Sequence, residues 1–205
     1  MENLTNMSSS PPTVLVTGAN GFIASHIVFY LLSSNYKVIG TVREKNSNKN
    51  KHLFDLLPSH NHLLTLQEAD LNDENVWDKI IEGCDYVIHS ASPFPLINPK
   101  NPEEIIEPVV KGVRSIMNAC IKHKIKKIVY TSSLLTVFGG LNKRSKIYNE
   151  NDWCDVKKVS AYDQSKFFGE KEAWKIIKDC TEIRKPILTV LLPGNRILFF
   201  FYYFF

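Results

Sequence analysis

Thr13-Val-Leu-Val-Thr-Gly-Ala-Asn-Gly-Phe-Ile-Ala-Ser-His26 begins as an apolar, β-branched run, breaks into glycines and then takes up helical spacing. That order predicts strand, tight turn and helix N-terminus. Gly18 and Gly21 leave no Cβ in the way of an approaching ligand, so the turn can lie against a phosphate. The helix that follows turns N–H groups and the positive end of its dipole toward the same place, a field that suits a dinucleotide pyrophosphate. Ala24 stands where such loops often carry a third glycine, and it is small enough to pack helix on strand. The glycines alone also fit an ordinary strand-to-helix turn, so the rest of the chain has to decide.

Working outward, Phe22, Ile23, Ile27, Val28, Leu31 and Leu32 mark the first helix, ended by Ser33-Ser34-Asn35. A second strand, residues 37–42, delivers Arg43 to the position where a dinucleotide fold meets the adenosine ribose. An acidic side chain there accepts from a free 2′-hydroxyl, whereas a guanidinium pairs with a 2′-phosphate. Arg43 therefore favours NADP over NAD, with Lys45 or Lys49 in reach to help; without the glycines it would read as a solvated arginine. A polar helical stretch precedes a third strand expected over residues 62–66. Beyond it, Asp70 reads equally as an acceptor for the adenine amino group and as the cap of a helix starting near Asp73. Trp77, Ile80 and Ile81 form a buried helix face.

A fourth strand, residues 85–89, runs into Ser90-Ala-Ser-Pro-Phe-Pro95, where small residues permit close approach and prolines keep the exit extended. His89, at the end of a buried strand, reads as a hydrogen-bonded core histidine rather than a catalytic one. The helix over 102–123 has a core stripe of Ile105, Ile106, Val109, Val110, Val113, Ile116 and Met117. A fifth strand, 127–131, delivers Ser132 and Ser133; a helix spans 161–180, and a sixth strand, 187–192, ends at Pro193-Gly194. Strands alternating with helices at this spacing define an α/β fold, a doubly wound parallel sheet with ligands gathered at the strand C-termini.

Tyr162 and Lys166, four residues apart, share one face of the last helix. A phenol is a poor acid at neutral pH, and a nearby ammonium is expected to lower its pKa and make it a workable proton donor. Ser133 is positioned to hydrogen-bond the same substrate oxygen, and Lys166 also has donors for a nicotinamide ribose. Such a set polarises a carbonyl while a cofactor supplies hydride.

The 205 residues suit one domain, and 44% hydrophobic with 22% charged residues is ordinary for a globular protein. A formal charge of +4, from 25 basic and 21 acidic residues, points to no nucleic-acid partner. Lys122, Lys124, Lys126 and Lys127 read as a solvated helix end. Cys84, Cys120, Cys154 and Cys180 have neither metal-binding nor redox spacing, so reduced thiols and no metal are expected. The polar stretch 1–12 lacks the features of a secretory signal, which makes the cytosol the expected compartment and leaves the sequons at Asn3 and Asn6 unmodified.

Thr17-Gly-Ala-Asn-Gly-Phe-Ile-Ala24, Thr131-Ser-Ser133 and Tyr162-Asp-Gln-Ser-Lys166, in that order, resemble the extended short-chain dehydrogenases/reductases of the NAD-dependent epimerase/dehydratase superfamily. Thr41-Val-Arg43, His89-Ser-Ala-Ser-Pro-Phe94, Asn149-Glu-Asn-Asp-Trp153 and Glu170-Lys-Glu-Ala-Trp174 are similar to the NADPH-dependent dihydroflavonol reductase, cinnamoyl-CoA reductase and yeast aldehyde/methylglyoxal reductase group. The resemblance runs from about residue 12 to 194. It implies Ser133, Tyr162 and Lys166 as the catalytic triad, with Tyr162 the proton donor. It places glycine-loop residues Gly18, Asn20, Gly21, Phe22 and Ile23 on the pyrophosphate and Arg43 on the 2′-phosphate. Asp70 and Leu71 fall on the adenosine, Ala91 on the nicotinamide half, Tyr162 and Lys166 near the ribose, and Pro193 beside the carboxamide. The implied activity is NADPH-dependent reduction of a small aldehyde or ketone. The rivals are an NAD-dependent sugar epimerase or dehydratase and a nucleotide-binding protein without turnover.

Two departures stand out. Val109 occupies a helix position where many superfamily members carry an asparagine, which removes a proton relay through that residue. Family members also continue past residue 194 into a substrate-binding segment, whereas here an aromatic run fills 197–205. The expected organisation is a loose leader over 1–12, an NADP-binding domain over 13–194 and an aberrant apolar tail over 195–205, too short to cross a bilayer, which takes about 20 apolar residues. On this reading the substrate wall is incomplete around Phe94, Leu96 and Ile97, and the chain as it stands is expected to aggregate and not to turn over.

Overall fold

The computed structural model describes residues 10–94, 99–141 and 146–194. The expected leader, the tail and the wall residues Leu96 and Ile97 fall wholly or mainly outside these. Six parallel strands, β1 (Thr13–Thr17), β2 (Lys37–Val42), β3 (Leu64–Glu68), β4 (Tyr86–His89), β5 (Lys127–Thr131) and β6 (Ile187–Leu191), lie in the order β3-β2-β1-β4-β5-β6. Helices α1 (Phe22–Ser33) and α2 (Lys51–Asp55) cover one face, and α3 (Val76–Ile81), α4 (Glu103–Lys122) and α6 (Ala161–Asp179) cover the other; the short α5 (Leu135–Phe138) follows β5. The chain winds outward from β1 to β3 and then crosses back to β4. The β1/β4 boundary is therefore the switch point at which doubly wound sheets hold ligands.

Both faces of the sheet are buried over its central strands, which therefore read as near-continuous apolar runs, whereas the edge strand β6 has no buried residue. On one face Val14, Val16, Val38 and Leu66 pack against Ala24, Val28 and Leu32 of α1. On the other, Leu15, Val87 and Ile128 meet Trp77, Ile81, Val113, Ile116 and Met117. α4 and α6 approach closely because Gly169 has no side chain: a Cβ there would lie 2.7 Å from Tyr130 Oη and 2.8 Å from Val109 Cγ1. Val109 is thus a packing residue of that seam, 4% exposed.

Two elements start two or three residues later than expected. The third strand begins at Leu64 rather than near 62, because a 3₁₀ turn opened by Pro58 carries on through Leu63. The third helix begins at Val76 rather than near Asp73. The intervening chain is spent on two side-chain turns, Asn72 N donating to Asp70 Oδ1 (2.8 Å) and Asn75 N to Asp73 Oδ1 (3.1 Å). Two of the four lysines of the cluster are paired at the surface: Lys122 bonds Asp78 and Lys126 bonds Asp85. The four cysteines are free thiols. Among the described residues no helix is long and apolar enough to cross a membrane.

Candidate active site

At the C-terminal end of β1 the chain turns on Gly18, whose φ of +65° is the left-handed region. A Cβ at Gly18 would lie 3.1 Å from Ala91 Cβ and 3.2 Å from Ala91 Cα, so conformation and space both require glycine. The loop is pinned on its other side: Gly18 N donates to Thr41 Oγ1 (3.1 Å) and Ala19 N to the Thr41 carbonyl (2.8 Å). Gly21 then opens α1 with no side-chain cap, and no acidic residue stands in the first turn. Phe22 and Ile23 lie exposed at that start. A helix N-terminus with no carboxylate of its own, approached by backbone without side chains, fits a pyrophosphate.

Thr17 ties this loop to the one after β4. Its Oγ1 accepts from Ser90 N (3.0 Å) and Ala91 N (2.9 Å) and lies 2.8 Å from His89 Nδ1. With both lone pairs taken, the hydroxyl hydrogen goes to His89 Nδ1, which fixes the histidine as the neutral tautomer protonated on Nε2. Burial, and next the charge of Lys166, push the His89 pKa down to about 3. His89 is therefore a core group, as its place on a buried strand suggests, and it stacks on Tyr130 with ring centroids 5.4 Å apart.

Arg43 follows β2, is exposed, and has no ion pair among the described residues. Asp70 keeps one carboxylate oxygen for its turn with Asn72, which excludes the helix-cap alternative, since α3 starts six residues later. Leu71 follows, with its side chain turned to α4. That side chain packs on α4, 2.9 Å from where a Gly112 Cβ would sit, so Leu71 has its backbone to offer a nucleotide.

On the other side of the switch point, Lys166 is 3% exposed and its Nζ donates to the Thr131 carbonyl (3.1 Å). Burial lowers its pKa to about 8. Its Nζ lies 5.8 Å from the centroid of the Tyr162 ring. The Tyr162 hydroxyl is held above its ordinary pKa, by burial first and Asp163 second, which corrects the expectation of a lowered value. Lys166 is itself desolvated and committed to a carbonyl, so the phenol's own burial wins. Phe94, 71% exposed, meets the Tyr162 ring edge-on at 4.9 Å and so brings the loop after β4 to the tyrosine. Ser133 lies just past β5, where Leu135 N donates to its Oγ (3.3 Å). The chain after β6 runs alongside, with Ser132 N on the Leu191 carbonyl and Leu134 N on the Pro193 carbonyl.

Glu170, one turn after Lys166, has no assigned role in the sequence reading. It is 6% exposed, and its carboxylate accepts from Ser132 Oγ (2.5 Å), Thr136 Oγ1 (3.0 Å) and Trp174 Nε1 (3.4 Å). These bonds lock the segment carrying Ser133 to the helix carrying Tyr162 and Lys166. The available signal was its i+4 spacing from Lys166, which puts a carboxylate on the helix's buried face. Thr17, Thr41 and Asn50 were also missed, because a lone short polar side chain near a strand end or in a turn carries no pattern.

A glycine loop at the switch point, an uncapped helix start and a Tyr/Lys pair at the same sheet end mark a doubly wound α/β domain of the kind that holds nucleotides there. The sequence profile of the NAD dependent epimerase/dehydratase family matches residues 14–189. The chain belongs to that family. It is similar to dihydroflavonol 4-reductase of Arabidopsis thaliana, 43% identical over 93% of this chain and 54% of that protein. Cinnamoyl-CoA reductase 2 of Medicago truncatula is 37% identical over 87% of this chain and 53% of its own length. Among solved structures, yeast methylglyoxal/isovaleraldehyde reductase Gre2 complexed with NADPH superposes with a TM-score of 0.78, at 31% identity, over 89% of this chain and 57% of that one. The chain spans about half the length of the curated relatives it matches.

Proposed function

We propose that residues 13–194 form the NADPH-binding and catalytic half of a reductase that converts a small aldehyde or ketone to its alcohol. The observation that carries this reading is the buried ammonium of Lys166, held on the Thr131 carbonyl beside Tyr162 at the same sheet end as the glycine loop. The relatives named above support it. Bound NADPH supplies the hydride. Gly18, Asn20, Gly21, Phe22 and Ile23 receive the pyrophosphate, Arg43 the 2′-phosphate and Asp70 the adenine; Ala91 and Pro193 flank the nicotinamide half. Ser133 Oγ and Tyr162 Oη hydrogen-bond the carbonyl oxygen of the substrate, which orients it and favours the charge that grows there. Tyr162, kept protonated at neutral pH, gives its phenolic proton to that oxygen, which is far more basic than a phenolate once reduced. The Lys166 ammonium stabilises the phenolate left behind. Arg43, rather than an acid at the end of β2, favours this reading over an NAD-dependent sugar epimerase or dehydratase.

In a protein carrying this chain at the length of its relatives, Tyr162→Phe is expected to abolish NADPH oxidation with a carbonyl panel while leaving NADPH binding intact. Activity that survives the change would remove Tyr162 as proton donor.

A further inference from the structure

Asn50 is 2% exposed, the one asparagine among the buried polar residues described, in a stretch otherwise exposed and basic. It ends a 3₁₀ turn (Asn48–Asn50) and stands at the N-cap of α2, yet its side chain makes no capping bond. The amide instead reaches back. Nδ2 donates to the Glu44 carbonyl (2.8 Å) and the Lys45 carbonyl (2.9 Å), while Oδ1 accepts from Asn20 Nδ2 (3.0 Å). Two carbonyls demand both amide hydrogens, so the orientation of the group is fixed by its partners.

We propose that Asn50 is a positioning residue for cofactor choice: its buried amide ties the segment that begins at Arg43 to the glycine loop, and so fixes where the guanidinium stands relative to the pyrophosphate. The proposal rests on NADPH being the cofactor. Arg43 itself is exposed and makes no ion pair among the described residues, so its place is set by the backbone that follows it. That backbone is gripped at two points, Asn50 on the carbonyls of Glu44 and Lys45 and Glu68 Oε1 on Lys45 N (2.7 Å). The Glu68 bond is exposed and weakened by water, whereas the Asn50 bonds are part-buried and made by a side chain that is itself 2% exposed. On the other side, Asn20 belongs to the loop that turns on Gly18. One side chain thus spans the two places where a 2′-phosphorylated dinucleotide is held, and a ligand lacking the 2′-phosphate has no use for that registration.

The test is fluorescence titration of the full chain with NADPH and with NADH, for wild type, Asn50→Ala, Arg43→Ala and the double variant, below each protein's melting midpoint. Asn50→Ala is expected to lower the NADPH-over-NADH preference about tenfold, mostly through NADPH, the scale of one misplaced charged contact. In the Arg43→Ala background the same change should alter the ratio by less than about twofold, because the group being positioned is gone. Asn50→Ser, which keeps one donor, should fall between and serves if Asn50→Ala does not fold. Equal losses for both cofactors, or an unchanged ratio with a lowered midpoint, would make Asn50 a fold contact only and overturn the proposal. A wild-type chain with no NADPH preference would overturn the cofactor reading itself, before any variant is compared.

Discussion

Replacing Lys166 by methionine removes an ammonium from a site that is 3% exposed. The fall of its pKa from 10.5 to about 8 costs the folded chain about 3 kcal/mol at pH 7. The sign follows from which state holds the proton. The folded value lies below the unfolded one, so between about pH 8 and 10.5 the unfolded chain binds more protons and stability rises with pH. At pH 9 the penalty has shrunk to about 2 kcal/mol, so about 1 kcal/mol is recovered between pH 7 and 9. Methionine leaves the Thr131 carbonyl without its donor, which offsets the gain by about 1–3 kcal/mol at either pH. The difference between variant and wild type should therefore move by about 1 kcal/mol toward the wild type on going from pH 7 to 9, whatever its absolute size. Urea unfolding of both proteins at the two pH values reads this directly, because groups remote from Lys166 behave alike in the two proteins and cancel in the difference. A gap that stays constant would mean that the ammonium is not desolvated and that the account of Lys166 is wrong.

Gly169→Ala forces a methyl to within 2.7 Å of Tyr130 Oη and 2.8 Å of Val109 Cγ1. It should destabilise the chain by about 1–3 kcal/mol despite alanine's better helix propensity, read as a lowered urea midpoint. A neutral or stabilising result would show that the α4–α6 seam has room. Glu170→Ala strips the acceptor from Ser132 and Trp174, leaving Thr136 only the Ser133 carbonyl, and should cost about 2–4 kcal/mol, whereas Glu170→Gln, which keeps one oxygen, should cost about half of that. Equal costs for the two would mean that side-chain volume, not hydrogen bonding, is what matters there.

The sheet was legible because its strands are apolar, β-branched and evenly separated by helical patterns; β1, β2 and β5 fall where expected, and α1 and α6 within one residue. Where short-range turn chemistry competes, the pattern misleads: Pro58 sustains a turn into what reads as a strand start, and Asp70 and Asp73 spend their carboxylates on side-chain turns that delay α3. The site residues fixed by spacing or by the end of a strand, Tyr162, Lys166, Ser133 and Arg43, could be named from the chain alone. The groups that hold them could not. Glu170 lies far in sequence from Ser132, and Asn50 far from Asn20, so neither pairing exists until the sheet brings them together. The Tyr162 hydroxyl shows the same limit, since spacing reveals the neighbouring lysine but not the burial that outweighs it.

The claim on which everything else depends is that this chain holds NADPH in its glycine loop with the 2′-phosphate on Arg43. Isothermal titration of the wild-type chain and of Arg43→Ala with NADPH and NADH tests it most directly. The account predicts that wild type prefers NADPH, and that Arg43→Ala loses about 1.5–3 kcal/mol of NADPH binding while NADH affinity barely moves. Equal losses for the two cofactors, or a wild-type chain that binds neither, would contradict it.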